Sequence, residues 1–204
     1  MLDFEKNYYS KDINFIAGCD EAGRGPIAGP VVCAAVIFPK DFTSNEINDS
    51  KQLSKKKREE LFNFILEHAL AYNIQIIDAK TIDEINILEA SRLGMAKAVK
   101  NLNHQVDLII TDYMKLYDFN VPVIDLVKGD AKAMCVAAAS ILAKVTRDNI
   151  MDELDKQYPN YHFAKTKGYP TKESIDAVME FGPIEGVHRF SYKPVQKALE
   201  IKLF

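Results

Sequence analysis

Cysteine is scarce in this 204-residue chain, with only Cys19, Cys33 and Cys135. The three are scattered and sit among Val, Ala and Ile. That pattern describes buried reduced thiols and argues against a disulfide framework or a zinc site. Long apolar runs are missing, so no segment reaches the length of a membrane span. The start, Met1-Leu2-Asp3-Phe4-Glu5-Lys6, lacks the basic opening and apolar centre of a signal peptide, and a cytoplasmic location is expected. No internal repeat, low-complexity tract or P-loop occurs. Lys128-Gly129-Asp130 has none of the glycines that a P-loop places ahead of its lysine. A strong charge of one sign is also lacking: the net charge of −3 does not advertise a nucleic-acid binder. Nothing demands more than a monomer.

What is present is a core. Apolar residues make up 48% of the chain, enough for one sizeable domain with a small appendage. The cations cluster. Lys51, Lys55, Lys56, Lys57 and Arg58 form one group, and Lys165, Lys167, Lys172, Arg189 and Lys193 a second. Such patches steer phosphate, although a solvated helix start accounts for the first equally well.

The chain divides into a polar lead-in over residues 1–13 and then alternating elements. Strands are expected at 15–20, 31–37, 74–78, 106–112 and 121–127. The second is too apolar for exposure on either face. A helix follows Ser54, a plausible N-cap, and runs to about Tyr72. Thr81-Ile82-Asp83-Glu84 matches a capping box, which starts a second helix. A third spans about 131–158, with Ala137, Ala138 and Ala139 permitting close approach to the sheet and Ser140, Lys144 and Asp148 on one stripe. Pro159 closes a core domain of residues 1–160. Residues 161–204 differ: a basic loop carries Tyr169, Thr171 caps a short helix to Phe181, a loop holds His188 and Arg189, and a last helix follows. His188 either contacts nucleic acid or simply packs, with packing favoured.

The chemistry concentrates in Asp20-Glu21-Ala22-Gly23-Arg24-Gly25-Pro26. Two adjacent carboxylates disfavour each other's ionisation unless a cation lies between them, and oxygen ligands suit Mg²⁺ or Mn²⁺. Inside a strand they would point apart; at a strand's end both can turn to one point. Gly23 and Gly25 allow close backbone approach, and Arg24 can fork onto phosphate. Asp112 ends the fourth strand and Asp130 follows the fifth, so four carboxylates could converge beyond the sheet. Such a cluster would hold two hard cations and support phosphodiester hydrolysis. Asp130 also suits a helix N-cap, and Asp112 an exposed strand end.

These residues resemble a signature. Asp20 to Pro26, then Asp49-Ser50-Lys51-Gln52-Leu53-Ser54, Asp112, Lys128-Gly129-Asp130-Ala131, the helix from Ala137 to Val145 with Arg147-Asp148, and Gly168-Tyr169-Pro170-Thr171 are together similar to the type 2 ribonuclease H family of bacteria. The resemblance spans roughly residues 15–195. It implies a ribonuclease H-like α/β fold, a five-stranded mixed sheet flanked by helices, with a C-terminal helical segment over 161–204 that grips substrate. It implies an endonuclease cutting RNA in RNA–DNA hybrids and incising at single ribonucleotides in duplex DNA, leaving 3′-hydroxyl and 5′-phosphate ends. Asp20, Glu21, Asp112 and Asp130 would be the catalytic metal ligands for two Mg²⁺ or Mn²⁺ ions. The Gly23-Arg24-Gly25 loop would read the ribose 2′-hydroxyl, and Tyr169 would stack on the following deoxyribose. Lys51, Ser140 and Lys144 would contact phosphate or support the ligands. Gln52 and Pro170 depart from the usual lysine and glycine, which touches substrate contacts and no carboxylate. The apolar end Leu203-Phe204 is somewhat like peptides that dock on a replication sliding clamp; the edge of a terminal helix explains it better.

Overall fold

A computed structural model describes residues 2–202. Five strands form one mixed sheet in the order β3-β2-β1-β4-β5. β1 (Ile16–Ala22), β2 (Val31–Ile37) and β3 (Ala71–Ile77) make an antiparallel meander. β4 (Leu108–Asp112) and β5 (Val123–Leu126) then run parallel to β1. Every residue of β2 is buried, because helices cover both faces. This is the ribonuclease H-like architecture the sequence leads one to expect.

On one face lie α1 (Lys55–His68) and α3 (Met134–Gln157); on the other lies α2 (Ala79–Lys100). Alternation along the strands sorts the side chains between them. Cys19, Cys33 and Ala35 meet Met95 and Ala98 of α2. Val32, Ala34 and Val36 meet Leu61, Ile65 and the alanines of α3. Gly18 sets the closeness of that second contact: a Cβ there would stand 2.2 Å from the Cys135 carbonyl carbon. The backbones of α3 and β1 therefore nearly touch.

Several boundaries differ from the sequence expectation. β1 continues to Ala22, so Asp20 and Glu21 lie within the strand, paired with Ala34 and Cys33. α1 stops at His68, and β3 begins at Ala71, three residues early. Leu70 and Tyr72 suit either period; pairing along the whole of β2 decides for strand, starting where Leu70 N–H donates to Ile37 O. Ser54 caps α1 as expected, accepting from Lys57 N–H. The box at Thr81 is not a start: Asp78 caps α2 by accepting from Thr81 N–H. α2 breaks at Asn86 (φ 65°), whose side chain accepts from Leu88 and Glu89 N–H and so restarts the helix.

The lead-in is packed rather than loose. Phe4, Tyr8, Tyr9 and Ile13 lie against Ile16, Leu108, Ile110 and Val136. After α3 come α4 (Phe163–Thr166), α5 (Lys172–Phe181) and α6 (Lys193–Lys202). Thr171 caps α5, accepting from Ser174 N–H. Tyr161, Phe163, Ala177, Val178 and Val195 build a smaller core that reaches Ile27 and Ala28 beyond β1 and Met151 on α3. His188 belongs to it: its ring lies against Tyr161 and Phe163, and Nδ1 accepts from Ile184 N–H. No helix among the described residues is long and apolar enough to cross a membrane. Leu203 and Phe204 lie outside the described residues.

Candidate active site

β1 and β4 run side by side in parallel, and their C-terminal ends bring Asp20 and Asp112 together. Asp130 arrives on a 3₁₀ turn, Gly129–Ala131, just past β5. It is not the N-cap of α3, which starts four residues later at Met134. The turn is tied to β4, since Gly129 N–H donates to Asp112 Oδ1 at 2.8 Å. One carboxylate oxygen from each of Asp20, Asp112 and Asp130 lies within 4.8 Å of the others.

Glu21 stands apart from that trio. Strand alternation turns Asp20 toward α3 and Glu21 toward the α2 face. Glu21 Oε1 is 3.5 Å from Arg24 Nη1, and Oε2 is buried without a hydrogen-bond partner. An orphaned buried oxygen is costly, so this one has room for a donor or a cation.

The electrostatics point the same way. Burial pushes the Asp20 carboxyl well above the usual carboxylate range; the Glu21 charge adds to this and Ser140 opposes it. Burial raises Glu21 as well, with Arg24 opposing and Asp112 adding. Asp112 is raised by burial and by Asp130, against the Gly129 N–H. Buried acids that repel each other favour the neutral form, and a divalent cation among them reverses that preference. Hard oxygen donors of this kind fit Mg²⁺ or Mn²⁺. Lys51 sets an ammonium against the trio, its Nζ donating to Asp130 Oδ2 at 2.8 Å. That bond holds the lysine above its ordinary range.

An open cleft of about 390 Å³ connects Asp20, Glu21, Asp112 and Lys51 to Gly23, Arg24, Gly25, Ser140, Lys144 and Tyr169. Ser140 Oγ is 3.0 Å from Ser50 Oγ, and Lys144 Nζ donates to Asp148 at 2.8 Å. Tyr169, 44% exposed, sets its ring beside Gly25, where an added Cβ would meet it at 3.4 Å. Residues from β1, α3 and the C-terminal segment thus share one opening.

Two arginines, one expected in a phosphate-steering patch and one given no role of its own, shape the loop between β1 and β2. Arg147 donates to the carbonyls of Pro30, Lys167 and Ala28. Arg189 donates to those of Gly29, Arg24 and Gly23. Both are fully buried. Burial, and then the nearness of Arg189, pulls Arg147 down to about 10. Gly23 (φ +101°) runs so close that a Cβ would lie 2.1 Å from Arg147 Nε. Arg189 is therefore no part of a phosphate-steering surface, and the other cations are largely engaged. Lys167 pairs with Asp152, Lys165 with Glu173, and Lys57 with Glu46. One signal was available: Arg147 shares a helical stripe with Ser140 and Lys144.

Comparison with known proteins agrees with this geometry. The family model described as Ribonuclease HII matches residues 17–195. A ribonuclease HII of Caldanaerobacter subterraneus is 49% identical over 98% of this chain and 82% of its own length. The crystal structure of ribonuclease H2 from Pyrococcus horikoshii superposes with a TM-score of 0.80 at 27% identity, covering 92% of this chain and 98% of that one. A Bst-RNase HIII solved in complex with Mn²⁺ shares the fold, with a TM-score of 0.72 at 18% identity over 96% of this chain and 72% of that one. The chain belongs to the ribonuclease HII family and is a ribonuclease H-type endoribonuclease.

Proposed function

We propose that the protein hydrolyses the RNA strand of RNA–DNA hybrids and incises duplex DNA at single embedded ribonucleotides, leaving 3′-hydroxyl and 5′-phosphate ends. The observation that carries this reading is a cleft in which Asp20 and Asp112, two of the three clustered aspartates, meet a glycine loop and an aromatic ring. Asp20, Glu21, Asp112 and Asp130 would hold two divalent cations. When bound, these supply an activated water and neutralise charge on the leaving oxygen. Glu21, set apart with a free oxygen, suits a ligand to one ion that the trio does not fill.

The remaining residues position the substrate. Gly23, Arg24 and Gly25 line the cleft, where backbone amides of this loop can meet a 2′-hydroxyl. That group is what separates RNA from DNA at one nucleotide. Tyr169 stacks on the neighbouring deoxyribose, so the ring and the loop together read an RNA–DNA junction. Lys144 and Lys51 offer ammonium groups to phosphate, and Ser140 steadies Asp20. Residues 161–204 act as the gripping segment, because they bring Tyr169 to the loop: Gly168 O accepts from Ile27 N–H at 2.8 Å.

The test is a DNA duplex carrying one ribonucleotide, incubated with Mg²⁺ or Mn²⁺. A single cut at that nucleotide with a 3′-hydroxyl end is expected. Intact duplex, with hybrid binding retained, would leave a non-catalytic binding module.

A further inference from the structure

α3 is the longest helix and begins without help from its own sequence. Ala133 occupies the N-cap position and has no hydrogen-bonding side chain to offer. The first amides of a buried helix must find acceptors elsewhere. They find Glu5. Its Oε2 accepts from Met134 N–H and its Oε1 from Cys135 N–H, both at 3.1 Å, across about 130 residues of chain. Glu5 is only 3% exposed. Burial pushes its carboxyl up against the opposing pull of these amides, so the group is kept at a cost.

The contact sits directly below the metal-binding turn. Gly129 O accepts from Lys132 and Ala133 N–H, which closes the turn bearing Asp130. Lys132 O in turn accepts from Phe4 N–H at 3.2 Å. Upstream the same turn is tied to Asp112 through Gly129 N–H. Asp130 is thus clamped from two sides, by β4 and by residues 4–5.

We propose that Glu5 is a positioning residue for the cation site: by capping α3 it holds the turn that places Asp130 beside Asp20 and Asp112. The proposal rests on the reading of those aspartates as ligands. Its test compares Glu5→Gln, nearly isosteric but unable to accept from both amides, with Phe4→Ala, which loses packing and keeps the cap. Mn²⁺ binding is measured by calorimetry at a temperature where both variants are folded. Glu5→Gln should bind Mn²⁺ roughly tenfold more weakly, the low end for partners that orient ligands. Phe4→Ala should bind as the wild type does, even where its melting temperature has fallen as far. Equal Mn²⁺ affinity in Glu5→Gln and wild type would overturn the proposal, as would losses that merely follow stability in both variants. Linkage is reciprocal, so the wild-type chain gives a second readout. Mn²⁺ should slow hydrogen exchange at the Met134 and Cys135 amides and leave Val178, in α5, unchanged. Mn²⁺ that binds without protecting those amides would also overturn it. A wild type that binds no Mn²⁺ would overturn the ligand reading itself.

Discussion

Replacing Arg189 by lysine keeps a positive charge at a fully buried position but removes the planar fork. The guanidinium reaches Gly23 O at 2.6 Å, Arg24 O at 3.0 Å and Gly29 O at 3.0 Å. An ammonium cannot span all three: Gly23 O is left without its donor, whereas Arg24 O keeps the Tyr192 hydroxyl, which donates to it at 3.0 Å. At ~1–3 kcal/mol for a buried group left unpaired, the loss is about 1–3 kcal/mol. Nothing offsets it, since the charge remains buried and an ammonium is the more strongly hydrated ion. Against a typical domain stability of about 5–15 kcal/mol, the variant should fold but melt well below the wild type. The freed carbonyl belongs to Gly23, in the loop assigned to reading the 2′-hydroxyl. Activity should therefore fall beyond the loss of folded protein. Urea denaturation gives the stability. Cleavage of a single-ribonucleotide duplex, at a temperature where both proteins are folded, gives the activity. A drop in kcat/KM of about tenfold or more is expected, equal to about 1.4 kcal/mol of transition-state stabilisation. Wild-type stability, or a wild-type kcat/KM in the folded variant, would refute the claim that this guanidinium shapes the loop.

Three further outcomes are expected. Burial lowers His188 from 6.5 to about 4, so between those values the unfolded chain binds a proton that the folded chain does not. Its contribution to stability is full above pH 6.5 and is lost on acidification, about 3 kcal/mol by pH 4. The difference in unfolding free energy between wild type and His188→Gln should change by that amount from pH 7 to 4, and a pH-independent difference would contradict it. Gly23→Ala puts a Cβ against Arg147 in a left-handed backbone. It should cost about 2 kcal/mol or more and cut turnover, whereas an unchanged melting curve would show that the loop has slack. Tyr169→Ala should lower kcat/KM by about tenfold or more, as expected when an aromatic stacking platform is lost. Tyr169→Phe should retain it, and equal losses in both would point to the hydroxyl instead of the ring.

The parts legible in the sequence are those with a local signature. β2 reads as a strand buried on both faces because Val31 to Ile37 is wholly apolar. Thr171 and Ser54 announce helix starts because capping acts over three residues. The clustered aspartates are legible because strand ends and a turn carry them to one end of the sheet, although an N-cap or an exposed strand end explained Asp130 and Asp112 singly. What escaped depends on pairing across the chain. The end of α1 is decided by the length of β2, since Leu70 and Tyr72 fit either period. Glu5, Arg147 and Arg189 look like surface charges until the fold encloses them, because most of their partners are backbone groups 117 to 166 positions away. The need of α3 for a distant acceptor shows only once the helix is seen to begin at Met134, with Ala133 as a bare N-cap, and not near residue 131 behind Asp130. At Glu21 the strand bound is what differs. A strand end that freed both carboxylates was the expectation, but β1 runs on to Ala22 and alternation turns them differently, although both line the same cleft.

The central claim is that clustered aspartates serve catalysis and not duplex binding. Cutting and binding measured in parallel on Asp20→Asn test it most directly. The substitution keeps the side chain's shape, removes one negative charge near phosphate, and weakens the cation site. A single-ribonucleotide duplex should be bound at least as tightly as by the wild type and left uncut in Mg²⁺ or Mn²⁺. Near-normal turnover by Asp20→Asn would contradict the account.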